Sequence, residues 1–264
     1  MITSLRNDLV QRAKKLRRRG MRDRFRAFLV EGVNGVGAAL DAGVGLEVLF
    51  VTAGAGGAIA ALARRASAVQ VPVIEVSDPV MAAISDAEAP PGAVAIAPFV
   101  DVEPTVLLDE DPVLSVVLDE VRDPGNLGTI LRTARAAGAG GVYLTKGTVD
   151  AYNAKVVRAS AGALFHVPVA REVAVPWILS ELGKRRVRRV AADPTATATY
   201  DEVDMRGRCA LVFGNEARGL TEEVAAAVDE RASIPMEPST ESVNVAIAAA
   251  VFLFEAVRQR RVMP

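Results

Sequence analysis

The sequence predicts an α/β protein of two domains, and three observations carry that expectation. Short apolar, β-branched runs alternate with helical segments along most of the chain. The alternation breaks once, over residues 98–112, where Pro98, Pro104 and Pro112 stand among Asp101, Glu103, Asp109, Glu110 and Asp111. It restarts at residues 113–118, a near-continuous apolar run of the kind a parallel strand buried on both faces requires. The Pro- and acid-rich interval reads as a linker between an amino-terminal domain, residues 1–105, and a carboxyl-terminal domain, residues 113–264. With 264 residues, 51% of them hydrophobic and 24% charged, the chain can bury sizeable cores and does not have the composition of a long disordered segment.

In the amino-terminal half, residues 5–19 are helical in character and strongly basic. Residues 25–31 read as a strand, followed by a helix to about Asp41 that Gly43 and Gly45 end. Residues 46–52 form a second strand, 57–68 an Ala-rich helix, 71–76 a third strand, 79–84 a short helix and 92–97 a fourth strand. In the other half, residues 127–137 place Leu127, Ile130, Leu131 and Ala134 on one helical face, and Gly138, Gly140 and Gly141 end the helix. A strand at 142–145 and a helix at 152–163 follow, and residues 165–169 precede a turn. Residues 177–184 are helical, and 188–192 and 209–213 are strands. Thr221 caps a helix with Glu222 and Glu223 in its first turn, where carboxylates suit the dipole. Ile234, Pro235 and Met236 end the last strand, and the last helix runs from Val243 to about Arg258.

The net charge is −1, but it is unevenly spread. Residues 6–26 carry Arg17, Arg18, Arg19, Arg22 and Arg24 among other basic residues, with only Asp8 and Asp23 opposing them. Residues 184–189 form a second basic cluster. Such clusters mark either a polyanion-binding surface or a solvated helix face. Cys209 is the only cysteine, so no intrachain disulfide can form. His166 is the only histidine, which argues against a Ser-His-Asp triad and His-rich metal sites; no metal is expected. The amino terminus lacks the apolar core of a signal peptide, and the apolar run at 245–254 is shorter than the roughly 20 residues that span a bilayer. The expectation is a cytoplasmic protein with no membrane segment. Gly35-Val36-Gly37 follows a strand as in a dinucleotide fingerprint, but Leu40 stands where the third glycine belongs, so a nicotinamide site is rejected.

Three strand-to-helix junctions could carry chemistry. In the first, Asp119 to Arg132, Asn126 can cap a helix, and Arg132 points off its apolar face toward a phosphate or carboxylate. An ordinary capped helix with exposed arginines fits the same pattern. In the second, Phe213 to Leu220, Gly214 and Gly219 let the backbone approach a ligand or take positive φ. Glu216 and Arg218 there could equally form a local ion pair. In the third, Ser239, Thr240, Ser242 and Asn244 crowd a helix start whose first amides lack partners. Three such junctions in one half point to a composite site at the carboxyl ends of parallel strands.

In order and spacing these junctions resemble the SpoU (TrmH-like) family of RNA ribose 2′-O-methyltransferases. The matching residues are Asn126-Leu127-Gly128-Thr129-Ile130-Leu131-Arg132-Thr133-Ala134, Phe213-Gly214-Asn215-Glu216-Ala217-Arg218-Gly219-Leu220, and Ile234-Pro235-Met236 with Glu241-Ser242-Val243-Asn244-Val245-Ala246. Val243 departs from the family's usual Leu. The resemblance covers residues 113–262 closely. It implies a deep trefoil knot in the carboxyl-terminal domain and an amino-terminal α/β/α RNA-docking domain. It implies S-adenosylmethionine as cofactor, held by Phe213, Gly214, Ile234, Met236 and Val243, and a homodimer packing through the carboxyl-terminal domain. It also implies a catalytic set of Arg132, Asn126, Glu216, Ser242 and Asn244. Arg132 would hold the nucleotide phosphate, with the hydroxyl proton passing to phosphate, water or a transiently neutral Arg132. The implied RNA is rRNA, docked by Arg17, Arg18, Arg19, Arg22 and Arg24. A tRNA ribose methyltransferase, or an RNA-binding assembly protein without catalysis, are the alternatives; the second would be expected to lack Arg132, Asn126 or the Ser242/Asn244 pair, all present here.

Overall fold

A computed structural model describes residues 1–237 and 239–261. The basic amino-terminal stretch forms two short helices rather than one. Asn7 caps α1 (Asp8–Leu16), its side chain accepting from the Leu9 and Val10 amides. After a break at Arg18, which is extended, α2 (Arg19–Phe25) ends at Arg26, whose φ of 49° is left-handed. That turn uses up the first residues of the apolar run, so β1 (Ala27–Glu31) begins later than its composition predicts. Then come α3 (Gly32–Asp41), β2 (Val48–Thr52), α4 (Gly57–Ala68), β3 (Val73–Val76), α5 (Asp78–Ile84) and β4 (Ala93–Pro98). The sheet order is β1-β4-β2-β3, with β4 antiparallel to both neighbours and β2 parallel to β3. Helices α1 and α5 close one face, packing Val10, Leu16, Met81 and Ile84 on Leu29, Phe50 and Ile96. Helices α3 and α4 cover the other face. Gly35 and Gly37 lie inside α3, where a Cβ on Gly35 would come within 3.2 Å of Val30; they are packing positions of a helix, not a phosphate turn.

Residues 98–112 are not a linker throughout. Pro104 opens α6 (Pro104–Asp109), and Leu107 and Leu108 are buried in a core cluster. The acidic residues hid this turn because they flank the two leucines rather than alternate with them. The chain continues through β5 (Leu114–Leu118), α7 (Pro124–Ala136), β6 (Gly141–Thr145), α8 (Ala154–Ala159), β7 (Val169–Val173), α9 (Val175–Lys184), β8 (Arg188–Ala192), β9 (Cys209–Phe213), α10 (Glu222–Ala227), β10 (Glu230–Ala232) and α11 (Val245–Arg261). Strand β7 was not foreseen. Arg171 and Glu172 interrupt its apolar run, and Glu172 takes a φ of 56° where the pairing with β6 slips.

Contacts group Met1–Val100 with Asp150–His166 in one unit, and Asp101–Val149 with the chain from Val167 onward in another. Residues 150–166, which the sequence division gives to the second domain, thus pack in the first unit. A buried ion pair, Arg22 Nη2 to Asp150 Oδ2 at 2.6 Å, ties this segment in. At Gly162, with φ of 84°, a Cβ would lie 2.4 Å from that of Ala38.

The second unit is built on a six-stranded, wholly parallel sheet of order β10-β8-β9-β5-β6-β7. Helices α6, α9 and α10 pack Leu107, Ile178, Leu179, Leu182 and Val224 on one face. On the other, α7 buries Leu127, Ile130, Leu131 and Ala134, the face its periodicity predicts, and α11 packs along it. Each fully buried Leu or Ile contributes about 1.5–3 kcal/mol. The last strand stops earlier than expected. The β10 ladder ends at Ala232, Ser233 makes a single bridge to Thr199, and Ile234, Pro235 and Met236 run on as loop.

Candidate active site

The strand order of the second unit reverses between β5 and β9: the chain steps outward from β5 through β6 and β7, then resumes on the other side. In open parallel sheets such a switch point leaves a crevice at the carboxyl ends of the strands. A cleft of about 740 Å³ opens there, lined by Ala192 at the end of β8, Phe213 and Gly214 at the end of β9, Ala232 and Ile234 at the end of β10, and the start of α11. That volume falls within the range of small-molecule sites, roughly 300–1,000 Å³.

All five residues expected to hold a cofactor, Phe213, Gly214, Ile234, Met236 and Val243, line this cleft. So do Asn126, Glu216, Ser242 and Asn244. The three junctions meet in one hydrogen-bonded chain. Asn244 Nδ2 donates to Asn126 Oδ1 at 2.9 Å, and Asn126 Nδ2 donates to Glu216 Oε1 at 3.0 Å. Asn244 Oδ1 in turn caps α11, accepting from the Ala246 amide at 2.8 Å. Glu216 also accepts from the backbone amides of Arg122 and Asp123, both at 3.1 Å. Burial works to raise the Glu216 carboxyl, but the donors, Asn126 foremost, outweigh it and hold the group below the usual glutamate range. Glu216 therefore stays ionised and anchors the junctions; it does not pair with Arg218, which reaches Glu120 instead.

The loop after β9 is a closed turn. Asn215 and Gly219 exchange backbone hydrogen bonds of 3.1 and 2.8 Å. The Asn215 side chain donates to the Glu120 carbonyl at 2.8 Å and accepts from the amides of Ala217 and Arg218. Gly214 is required by the turn itself: a Cβ there would lie 2.4 Å from the Gly219 carbonyl oxygen. Gly219 supplies the positive φ, 67°.

Ser242 lines the cleft without an intramolecular hydrogen bond among the described residues. Arg132 is exposed on α7, outside the cleft wall and without an intramolecular partner among the described residues. The expected RNA-docking arginines divide. Arg22 is a correction: it is buried, pairs with Asp150 and donates to the carbonyls of Leu16 and Arg17, so it ties α1 to α2 and is not a surface contact. Arg17 pairs with Asp86 and Arg19 with Asp23. Arg18 is exposed, and Arg24 lies 5.8 Å from the Phe25 ring centroid. The second basic cluster is largely neutralised, with Lys184, Arg185, Arg188 and Arg189 paired to Glu181, Asp109, Glu230 and Asp229. Cys209 is core; burial pushes its thiol up to about 12.

Sequence reasoning gave no role to Asn215, Asp193, Thr195 or Arg231, although all line the cleft. Asn215 and Asp193 carry a readable signal, an Asx residue accepting from amides two or three positions on. Arg231 carries none, because its pairing with Asp193 is tertiary.

A parallel α/β unit with a polar chain of Asn and Glu beside a cleft at its switch point is the arrangement in which open parallel sheets bind small ligands. Residues 113–254 match the SpoU rRNA Methylase family, and residues 7–95 match the MRM3-like substrate binding domain. The chain belongs to the SpoU rRNA methylase family. It is 35% identical to an uncharacterized tRNA/rRNA methyltransferase from Synechocystis sp., over 98% of this chain and 94% of that one. It is 32% identical to the 23S rRNA (guanosine(2553)-2′-O)-methyltransferase RlmP of Bacillus subtilis, over 96% and 97%. The structure of the SpoU methyltransferase AviRb from Streptomyces viridochromogenes, in complex with the cofactor AdoMet, superposes with a TM-score of 0.87 at 31% identity, covering 98% of this chain and all of the other.

Proposed function

We propose that this protein transfers a methyl group from S-adenosylmethionine to a ribose 2′-hydroxyl of RNA, with rRNA as the substrate. The observation that carries this reading is the Glu216–Asn126–Asn244 chain, which joins three separate family motifs beside the cleft. The residues fit the cofactor: the cleft has the volume, Gly214 lets the closed turn after β9 form its wall, and Phe213, Ile234 and Val243 offer apolar surface. When bound, S-adenosylmethionine supplies a methyl group on a sulfonium, a good leaving group, so positioning can contribute much of the rate.

Arg132 is free to take the target nucleotide's phosphate in its planar fork. It acts by charge and geometry rather than as an ordinary base. Asn126, held at both ends by Glu216 and Asn244, fixes the start of α7, the helix that carries Arg132, and with Ser242 orients the ribose. Glu216 acts through Asn126 as a positioning residue.

Further readings belong to the same proposal. The carboxyl-terminal chain forms a deep trefoil knot, supported by the return of α11 from edge strand β10 to pack on α7 and β9. The segment between β8 and β9 is also tied to that region, through Tyr200 N to Ser233 O at 2.8 Å and Met205 N to Gln259 Oε1 at 2.8 Å. The protein is a homodimer through α11, supported by Ile247 and Phe254, 55% and 49% exposed on one face of that helix. The first unit docks RNA through Arg18 and Arg24 of the expected set together with Lys15 of α1, all three exposed. The protein works in the cytoplasm, where its rRNA substrate would be met. Among the described residues no helix is long and apolar enough to cross a membrane.

The test is transfer of labelled methyl from S-adenosylmethionine to rRNA lacking the modification, followed by nuclease mapping. Label at a single ribose is the expected result. Label on a base, or none with rRNA or tRNA, would overturn the reading.

A further inference from the structure

The cleft wall carries a charged cluster that the reaction scheme above does not use. Asp193, just past β8, accepts from the Thr195 amide at 2.9 Å, from Thr195 Oγ1 at 2.7 Å and from Arg231 Nη1 at 3.1 Å. The Asp193 side chain is 13% exposed and that of Arg231 50% exposed. Three of the roughly four acceptor positions of a carboxylate are thus filled, whereas a guanidinium has five N–H donors and Arg231 spends one of them here. Burial works to raise the Asp193 carboxyl, but Thr195 and then Arg231 outweigh it and keep it ionised. Arg231 is therefore positioned at the cleft wall by an ionised carboxylate, and among the described residues its remaining donors have no hydrogen-bond partner.

Arg231 stands three residues before Ile234, on the side of the cleft formed by Ala192 and Ala232. The other guanidinium of the wall, Arg218, lies on the loop that meets Glu120 and is ion-paired there. Of the groups on S-adenosylmethionine, only the methionyl carboxylate is an anion. We infer that Arg231, positioned by Asp193 and Thr195, takes the carboxylate of the cofactor's amino-acid moiety and is a specificity residue for it. This rests on the proposal that the cleft holds S-adenosylmethionine.

The experiment is calorimetry on the full-length protein with two ligands, S-adenosylmethionine and decarboxylated S-adenosylmethionine. The wild type binds the first about tenfold or more tighter, the scale of one charge-assisted hydrogen-bonded pair. Arg231→Ala removes that preference by weakening S-adenosylmethionine alone, while its unchanged affinity for the decarboxylated analogue shows the cleft is intact. Arg231→Lys restores part of the preference, and Asp193→Asn reduces it by less than Arg231→Ala does. Equal loss for both ligands in Arg231→Ala, or a preference that survives it, overturns the inference. A wild type that binds both ligands equally also overturns it and leaves the cleft assignment standing. A wild type that binds neither overturns the cleft assignment and the inference together.

Discussion

Asn126 is the residue on which the three junctions converge. It donates to Glu216 and accepts from Asn244, so replacing it with Ala cuts the chain on both sides. Arg132 depends on that scaffold but shares no hydrogen bond with it. Arg132→Ala should therefore remove nearly all methyl transfer while cofactor affinity stays within a few-fold, and Arg132→Lys should rescue poorly because a point charge cannot reproduce a planar fork. Turnover assays paired with calorimetry separate the two effects. Glu216 gives a pH-dependent check. Its folded pKa is depressed, so its stabilising contribution is full above the unfolded value of about 4.3 and is lost as pH falls through the folded value. The stability deficit of Glu216→Gln, read from denaturant midpoints, should be constant from about pH 8 to about pH 5 and shrink below about pH 4.

At the scale of elements, the loop after β9 and helix α11 decide whether the cleft exists. Gly214→Val drives a side chain into the Gly219 backbone, so cofactor binding should be lost together with several degrees of melting temperature. The sequence suggested that Gly214 spares room for a ligand; the structure puts the first clash inside the turn. Phe252 of α11 meets Phe213 of β9 edge-on, with centroids 5.9 Å apart and both rings buried. Phe252→Ala should cost about 3–5 kcal/mol and weaken cofactor binding, since Phe252 also lines the cleft. Elements with strong periodicity were legible: the buried face of α7 and the apolar strands β5 and β9 lie where the residues place them. Those set by tertiary contact were not. Strand β7 carries Arg171 and Glu172, α6 shows only two adjacent leucines, and Arg22 reads as one more surface arginine until Asp150 arrives from far along the chain. The three junctions were legible as turns and helix starts, and the family resemblance named the residues that the structure brings to one cleft; the Asp193–Arg231 pair was not legible, because nothing local links its two members.

At the scale of the whole molecule, charge and assembly give separate tests. Neutralising Lys15, Arg18 and Arg24 together should flatten the salt dependence of RNA binding by up to about 2 units, at roughly 0.7 per phosphate, and leave cofactor binding untouched. Arg22→Gln should behave differently, destabilising the fold by about 3–5 kcal/mol because it strands a buried carboxylate. Ile247→Asp with Phe254→Asp should convert a dimer to monomers in sedimentation velocity, and an unchanged mass would contradict assembly through α11. The central claim is that Arg132 and the three-junction site methylate a ribose of RNA. Mass spectrometry of rRNA digests from a strain lacking the gene, complemented with wild type or Arg132→Ala, tests it most directly. One ribose-methylated nucleotide should be missing in the deletion strain, restored by wild type and not restored by Arg132→Ala. Identical digests in all strains, or full restoration by Arg132→Ala, would contradict it.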